Sequence, residues 1–518
     1  MPFVTHPLVK PDSIEQRLYQ ENILSTTLQA NSLVVLPTGM GKTAVAVMLA
    51  AQRLSKIGGR ALVLAPTRPL VEQHKRSFAK MMEIAEGDMA VYTGKIGPAE
   101  RTKGYKKHTM IFATPQVVQN DLIAGRLDLS DYVLLVFDEC HRGIGDYPYP
   151  FIAEIYTRRA REPRILGLTA SPGATKEKID AICKGLHLER VEIRTESDED
   201  VKPYVHSVHT EWVEVDLPIE FIEVQVLLNE ALKQRYAKLK EWGYLLGPYI
   251  RKTDLLGLQI QLRKAAGGRK PAPHILGAIS YVAEALKIEH ALVLLETQGA
   301  AALLEYYKRM REAAEKGKTK AVKRVMTDPR MEAALLKTYD LVGRHVDHPK
   351  LGKLQAIVTE RLSKDPNAKL IVFSHYRDSV KQILSVLREV PQCKAIGFVG
   401  QAGDGGLDQR TQTRILQQFR ELKYNVLVCT SVGEEGLDMP EVDAVIFYEP
   451  VPSEIRSIQR RGRTGRHKAG EVVILMAKNT RDEGIFWSSH HKEKKMKALM
   501  KNLQGKVMQT TLEDIQNV

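Results

Sequence analysis

The stretch Leu33-Val34-Val35-Leu36-Pro37-Thr38-Gly39-Met40-Gly41-Lys42-Thr43 decides how this 518-residue chain reads. Residues 33–36 form an apolar run of strand length, and residues 44–54 have the composition of a helix, so Gly39 and Gly41 fall in the turn between them. In such a turn the backbone N–H groups and the helix N-terminus can surround phosphate oxygens. Lys42 then supplies a point charge to the β- and γ-phosphates, and the Thr43 hydroxyl a ligand to Mg²⁺. Thr38 and Met40 complete the loop, and Leu36 stands where the eight-residue phosphate-loop pattern has its first Gly. Taken alone, a Gly-rich strand-to-helix turn is often only a tight turn. The rest of the chain decides between the two.

Residues 61–65, 110–113, 133–137 and 165–168 are further apolar runs separated by helix-length segments. Continuous rather than alternating apolar strands imply a parallel sheet covered on both faces, with ligands at the C-terminal strand ends. Each run is followed directly by a polar cluster: Pro66-Thr67-Arg68, Thr114-Pro115-Gln116, Asp138-Glu139-Cys140-His141 and Thr169-Ala170-Ser171. Asp138 and Glu139 fit the second half of a nucleotide site. One carboxylate holds the water shell of Mg²⁺ and its neighbour orients and deprotonates the attacking water. His141, beside Thr169 and Ser171, is placed to link hydrolysis to motion between domains.

A chain of this length exceeds one core and suggests about three domains. Its 43% hydrophobic and 27% charged residues are those of a globular protein. No apolar run approaches the roughly 20 residues of a membrane span and the N-terminus lacks a signal-peptide core, so an intracellular, cytoplasmic location without membrane contact is expected. Cys140, Cys183, Cys393 and Cys429 have no metal-ligand spacing and read as reduced thiols. A net charge of +14 favours a polyanionic partner. Residues 218–345 carry 22 Lys and Arg against 14 Asp and Glu, so that segment is the first place to look for a nucleic-acid surface.

That segment also changes character. Residues 220–242, 278–295 and 301–314 have helical apolar spacing and read as a helical bundle. Its basic residues include Arg263, Lys264, Arg269, Lys270, Lys316, Lys318, Lys320, Lys323 and Arg324, with the loop Gly267-Gly268-Arg269-Lys270-Pro271 a candidate backbone contact. Strand-like runs return at 370–373, 395–399, 426–429, 444–447 and 472–476, so a second parallel sheet follows. In Gln459-Arg460-Arg461-Gly462-Arg463-Thr464-Gly465-Arg466, Arg463 and Arg466 are one helical turn apart. They could reach across a cleft to the γ-phosphate, with Gln459 positioning water. The basic tail His490-His491-Lys492-Glu493-Lys494-Lys495-Met496-Lys497 reads as a solvated helix.

These residues carry a resemblance. Leu36 to Thr43, Ala65-Pro66-Thr67-Arg68, Thr114-Pro115, Asp138-Glu139-Cys140-His141, Thr169-Ala170-Ser171, Thr430-Ser431-Val432-Gly433-Glu434-Glu435-Gly436-Leu437-Asp438 and the Gln459–Arg466 run resemble motifs I, Ia, Ib, II, III, V and VI of superfamily 2 helicases. Arg17-Leu18-Tyr19-Gln20 is similar to the adenine-reading segment of that superfamily, which implies that Gln20 reads the base and Arg17 packs near it. The helical insertion, the Asp-Glu-Cys-His form of motif II, Arg194-Thr195-Glu196-Ser197-Asp198-Glu199-Asp200-Val201 and Leu166-Gly167-Leu168-Thr169-Ala170-Ser171-Pro172-Gly173 resemble the archaeal Hef and Fanconi-anaemia M helicases. RIG-I-like and Dicer helicases are more distant relatives sharing the insertion.

The resemblance implies two RecA-like α/β parallel-sheet motor domains with an all-α insertion between them. The expected divisions are residues 1–215, 216–345 and 346–505, with 506–518 a tail. It implies an ATP-dependent DNA helicase or translocase using ATP and Mg²⁺ on forked or branched DNA, with a nuclease or a replication clamp as partner. Gly436 and Asp438 would line the nucleotide. Thr67, Arg68, Thr93, Gly94 and Thr114 in the first domain, with His375, Tyr376, Arg377, Thr430 and Ser431 in the second, would contact phosphates and sugar. Two rivals remain at this point: a double-stranded-RNA-stimulated motor of the RIG-I or Dicer type, and a scaffold that closes on ATP without turnover.

Overall fold

Apolar runs short enough to be strands and bounded by polar turns bury both faces, and they do so in two separate sheets. The computed structural model describes residues 2–173, 175–204, 208–247, 250–267, 272–317, 320–401, 406–430, 439–451 and 470–503. The first sheet contains β1 (Ser32–Val35), β2 (Arg60–Leu64), β3 (Met89–Tyr92), β4 (Met110–Ala113), β5 (Tyr132–Asp138), β6 (Ile165–Thr169) and β7 (Arg190–Ile193). Their spatial order is β3-β4-β2-β5-β6-β1-β7, all parallel. The second contains β8 (Val208–Val215), β9 (Leu370–Phe373), β10 (Ala395–Phe398), β11 (Val426–Cys429), β12 (Ala444–Phe447) and β13 (Gly470–Ala477), ordered β10-β11-β9-β12-β13-β8 and again parallel. Every residue of β1, β4, β5 and β6 is buried. Each such aliphatic side chain contributes about 1.5–3 kcal/mol of transfer free energy before chain entropy is counted.

Several helices start where the chain leaves a strand, and proline marks the start. Pro69, Pro98, Pro115 and Pro148 stand in the first turns of Arg68–Met81, Pro98–Lys107, Pro115–Ile123 and Pro148–Arg159. Proline presets the helical φ and lacks an N–H that would have gone unpaired there.

The helices Ile219–Glu241, Lys252–Ala266, Pro273–Gln298, Ala300–Glu315, Lys320–Met326 and Pro329–Gly343 form the expected bundle around Phe221, Leu228, Ile288, Leu292 and Tyr307. Buried Arg235 crosses its centre, with Nε 3.3 Å from Glu284 Oε2 and an ion pair to Asp328. Losing one partner of such a set leaves an uncompensated buried charge, at about 3–5 kcal/mol. Arg324, counted above among possible backbone contacts, is committed to this set. Its Nε lies 3.2 Å from Glu284 Oε1 and its guanidinium over the Tyr281 ring.

Two boundaries differ from expectation. The expected first domain runs to residue 215, yet β8, which ends there, pairs along its whole length with β13 of the second sheet. The bundle therefore leaves from the second sheet and returns to the helix Pro349–Lys364 packed on that sheet, nested in the second domain rather than set between the two. Side chains reinforce the connection: Arg481 donates to Glu296 Oε1 (2.7 Å) and Glu289 Oε2 (3.0 Å), and the Ser379 hydroxyl donates to Gln298 Oε1 (2.6 Å). Second, the helix Arg481–Leu503 starts in this junction but ends elsewhere, because Met496 is buried in the core of the first domain. No helix among the described residues is long and apolar enough to cross a membrane.

His348 belongs to the same junction, with Nε2 against Glu296 O (2.8 Å) and Nδ1 accepting from the Lys350 N–H (3.2 Å). Burial, helped by Lys350, pushes its pKa down from 6.5 to about 3. Below pH 6.5 the unfolded chain takes up a proton that the native histidine refuses. The contribution is thus complete above that pH and lost as pH falls towards 3, by up to about 1.4 kcal/mol per pH unit. The melting temperature of the wild type should drop between about pH 7 and pH 5, and His348→Asn should flatten that drop. Parallel profiles for the two proteins would refute the assignment.

Candidate functional site

The loops that follow β5, β6 and β1 emerge side by side at the C-terminal edge of the first sheet, because those strands are neighbours. After β1 the chain turns through Gly39 (φ +86°) and Gly41 (φ +73°) and enters the helix Lys42–Ile57. Both angles favour glycine. A Cβ on Gly41 would also press against Gln20 Nε2. The Lys42 ammonium donates to the carbonyls of Leu36 (3.1 Å) and Pro37 (3.4 Å), and Thr38 Oγ1 is buried without a hydrogen-bond partner. Thr43 follows in the first helical turn, half-buried. Gln20 sits directly against the loop: its Nε2 donates to Met40 O (3.3 Å), as does the Tyr19 hydroxyl (2.9 Å). Arg17 lies beside them, over the Tyr204 ring and paired with Glu15 at 3.0 Å.

Asp138 ends β5 and is 7% exposed. Burial alone would raise its pKa, but His74, Lys42 and the Glu139 backbone N–H outweigh it and hold the carboxyl below the ordinary range. The contact with His74, Nε2 to Oδ2 at 2.8 Å, was not foreseen. A usable signal existed, because Val71, His74 and Phe78 form the buried stripe of the helix Arg68–Met81 and one of the three is polar. The Tyr149 hydroxyl also donates to Asp138 O (2.8 Å), fixing the strand end.

Glu139 takes a left-handed backbone (φ +49°), unusual for a residue with a side chain. Its Oε2 approaches His141 Nδ1 at 3.3 Å without making a hydrogen bond, although the oxygen is buried. His141 Nδ1 is 3.1 Å from Thr169 Oγ1, which accepts from the Ser171 N–H at 3.1 Å. His141, Thr169 and Ser171 thus form one chain of contacts, and the Ser171 hydroxyl extends it by donating to the sulfur of Met496 (2.9 Å). Met496 also escaped the sequence reading, as a residue of a basic tail.

The remaining candidates of the first domain lie on the other half of the sheet. Thr67 and Arg68 follow β2, Thr93 and Gly94 follow β3, and Thr114 follows β4, three adjacent strands. Arg68 Nε pairs with Glu72 (2.7 Å), while its Nη1 is buried without a partner. In the second domain His375, Tyr376 and Arg377 follow β9 and Thr430 follows β11. The His375 N–H donates to Glu449 Oε2 (3.3 Å) and Arg377 to Gly400 O (2.8 Å). Ser431, Gly436, Asp438, Gln459, Arg463 and Arg466 lie outside the described residues, as do Gly268, Arg269, Lys270, Pro271 and Lys318. Arg263, Lys264, Lys316, Lys320 and Lys323 are exposed on the bundle.

The donor set suits a triphosphate with a divalent cation. A glycine turn at positive φ, an ammonium beside it, a buried carboxylate and two buried oxygens without hydrogen bonds, on Thr38 and Glu139, lie at one edge of the sheet.

The profile of the DEAD/DEAH box helicases matches residues 17–179, that of the helicase conserved C-terminal domain residues 350–468, and a helical-bundle profile of ATP-dependent RNA helicases residues 220–343. The chain is 47% identical to the Pyrococcus furiosus Hef helicase domain, whose crystal structure it covers completely with 93% of its own length at a TM-score of 0.72. It is 42% identical to a Methanocaldococcus jannaschii protein provisionally named an ATP-dependent RNA helicase, over 97% of this chain and 63% of that protein. With the Neurospora crassa ATP-dependent DNA helicase mph1 it shares 34% identity over 90% of this chain. The chain spans 41% of the length of that relative.

Gly41→Ala should strain the loop by about 1–3 kcal/mol and push Gln20 aside. A titration with fluorescent ADP is expected to give at least about tenfold weaker binding, with the melting temperature lowered only slightly. Unchanged affinity would contradict the loop's role.

Proposed function

Since the chain belongs to the superfamily 2 helicases of the Hef type, we propose that it is an ATP-dependent motor on DNA, acting on forked or branched duplexes. The observation that carries the proposal is the meeting of Lys42, buried Asp138 and a buried Glu139 oxygen without a hydrogen bond at one edge of the first sheet. The names of relatives support DNA, since mph1 proteins from Neurospora crassa and Coccidioides immitis are DNA helicases by name. The preference for branched substrates is carried over from that kinship.

In this reading Gly39, Gly41 and Lys42 receive the phosphates, Thr43 and Asp138 hold Mg²⁺, and Gln20 and Arg17 flank the base. The metal, when bound, neutralises charge on the β- and γ-phosphates. Glu139 takes the proton of the attacking water; an oxygen without a hydrogen bond and a left-handed backbone suit a base held ready. Arg463 and Arg466 stabilise the charge that develops on the γ-phosphate, with Gln459 ordering the water. Gly436 and Asp438 line the nucleotide from the second domain.

Closure of the two domains would then be coupled to hydrolysis. His141, Thr169 and Ser171 carry the state of Glu139 towards the domain boundary. Thr67, Arg68, Thr93, Gly94 and Thr114 grip one end of a strand backbone, and His375, Tyr376, Arg377, Thr430 and Ser431 the other. The bundle moves with the second domain because Glu289 and Glu296 are tied to Arg481, so closing the cleft also swings its exposed lysines and arginines towards the duplex.

Steady-state ATP turnover without polymer and with linear duplex, forked DNA, a four-way junction and double-stranded RNA, at one fixed salt, tests the reading. Forked or junction DNA should stimulate most. Strongest stimulation by RNA duplex would move the protein to the RNA motors, as the provisional name of the Methanocaldococcus relative suggests. Turnover indifferent to every polymer would refute the motor. Lys42→Ala and Glu139→Gln should abolish turnover. Arg466→Ala should lower it by about 10³-fold or more while fluorescent ATP still binds.

A further inference from the structure

The helix Arg68–Met81 buries Val71, His74 and Phe78 on one stripe. A helix lying on a sheet normally turns apolar groups inward at this spacing, and His74 breaks the pattern. Its Nε2 lies 2.8 Å from Asp138 Oδ2 with both side chains about nine-tenths buried. At that distance the imidazole N–H donates and the carboxylate oxygen accepts. One carboxylate oxygen is thereby fixed by a group outside the phosphate loop.

The position of this helix gives the contact its meaning. It follows β2, and β2 is the neighbour of β5 in the sheet. Those two strands mark the division between the half whose loops carry Thr67, Arg68, Thr93, Gly94 and Thr114 and the half whose loops carry Lys42, Asp138 and Thr169. Arg68 opens the helix, and six residues later, about 9 Å along its axis, stands His74. A hydrogen-bonded helix does not compress over that distance. Displacement of its N-terminus must carry the imidazole with it. The free Nη1 of Arg68, buried although Nε is engaged by Glu72, marks that N-terminus as an end with unused binding capacity.

We propose that His74 is a positioning residue that orients the Asp138 carboxylate for its cation and transmits engagement of nucleic acid at Thr67 and Arg68 to it. The proposal rests on the assignment of Asp138 to Mg²⁺ above. A group that hydrogen-bonds a metal ligand typically controls metal affinity or activity by about 10–100-fold. A histidine serving only the core would control stability instead.

His74→Leu keeps most of the bulk and removes the donor; His74→Gln restores an N–H at comparable reach, and His74→Asn places one too short to arrive. Binding of fluorescent ADP is followed against Mg²⁺ concentration, without polymer or turnover, beside melting temperature. His74→Leu should raise the Mg²⁺ needed for half-maximal ADP affinity about tenfold while leaving affinity in excess chelator unchanged, and His74→Gln should return it to within about threefold. If the leucine variant does not fold, the same contrast is expected between His74→Asn and His74→Gln. Stimulation of kcat by DNA should fall in the variants that lose the donor, with KM for ATP at saturating Mg²⁺ little changed. Wild-type Mg²⁺ dependence in the leucine or asparagine variant, or no recovery in a folded glutamine variant, would overturn the proposal. A wild type whose ADP affinity ignores Mg²⁺ would instead sink the metal assignment, and one that no polymer stimulates the motor reading.

Discussion

A carboxylate at the end of a central strand is costly to keep charged, by several kcal/mol once water is excluded. Asp138 is kept charged by His74, Lys42 and the backbone N–H of Glu139, which reach it from a helix after β2, a loop after β1 and its own strand end. No single segment could supply all three. The parallel sheet brings them together, since all its strands run the same way and discharge their loops at one edge. That geometry also separates the candidate nucleotide loops, on β5, β6 and β1, from the candidate strand-gripping loops, on β3, β4 and β2, while leaving the two sets in contact where β2 meets β5.

The second organising contact is the polar junction between bundle and second sheet. Here Glu289 and Glu296 accept from Arg481, His348 meets the Glu296 carbonyl and Gln298 accepts from Ser379, all buried or largely so. Buried polar groups of this kind tolerate little relative movement, since each lost partner leaves an unpaired donor or acceptor at about 1–3 kcal/mol. The bundle and the second domain therefore act as one body against the first. The C-terminal helix bridges the two bodies, starting at Arg481 in the junction and placing Met496 against Ser171. In the proposed motor these two bodies are the parts that stay rigid while the cleft closes.

Much of this was legible in the chain. Strands buried on both faces announce themselves as unbroken apolar runs, so β1, β2, β4, β5 and β6 and the strands β9 to β13 were found within a residue or two. The weaker strands at the margins were not. β7 reads Arg-Val-Glu-Ile, with only Ile193 buried, because it is an edge strand and its side chains face solvent as well as core. β3 lies at the opposite edge. His74 was passed over because a histidine among Glu72, Gln73 and Lys75 looks polar until the helical stripe is drawn through it.

The sequence by itself determined the glycine turn after β1, the acidic pair after β5, the two-sheet architecture and the helical character of the middle segment. These rest on local periodicity and on glycines at positive φ, which neighbouring residues dictate. Only the tertiary structure decided which sheet receives the strand Val208–Val215, and so to which domain the bundle belongs. It alone paired His74 with Asp138, 64 positions apart, and brought Met496 to Ser171 across 325. Strand partnership and contacts between distant side chains depend on complementary surfaces from separate segments, and no local pattern in either segment specifies its partner.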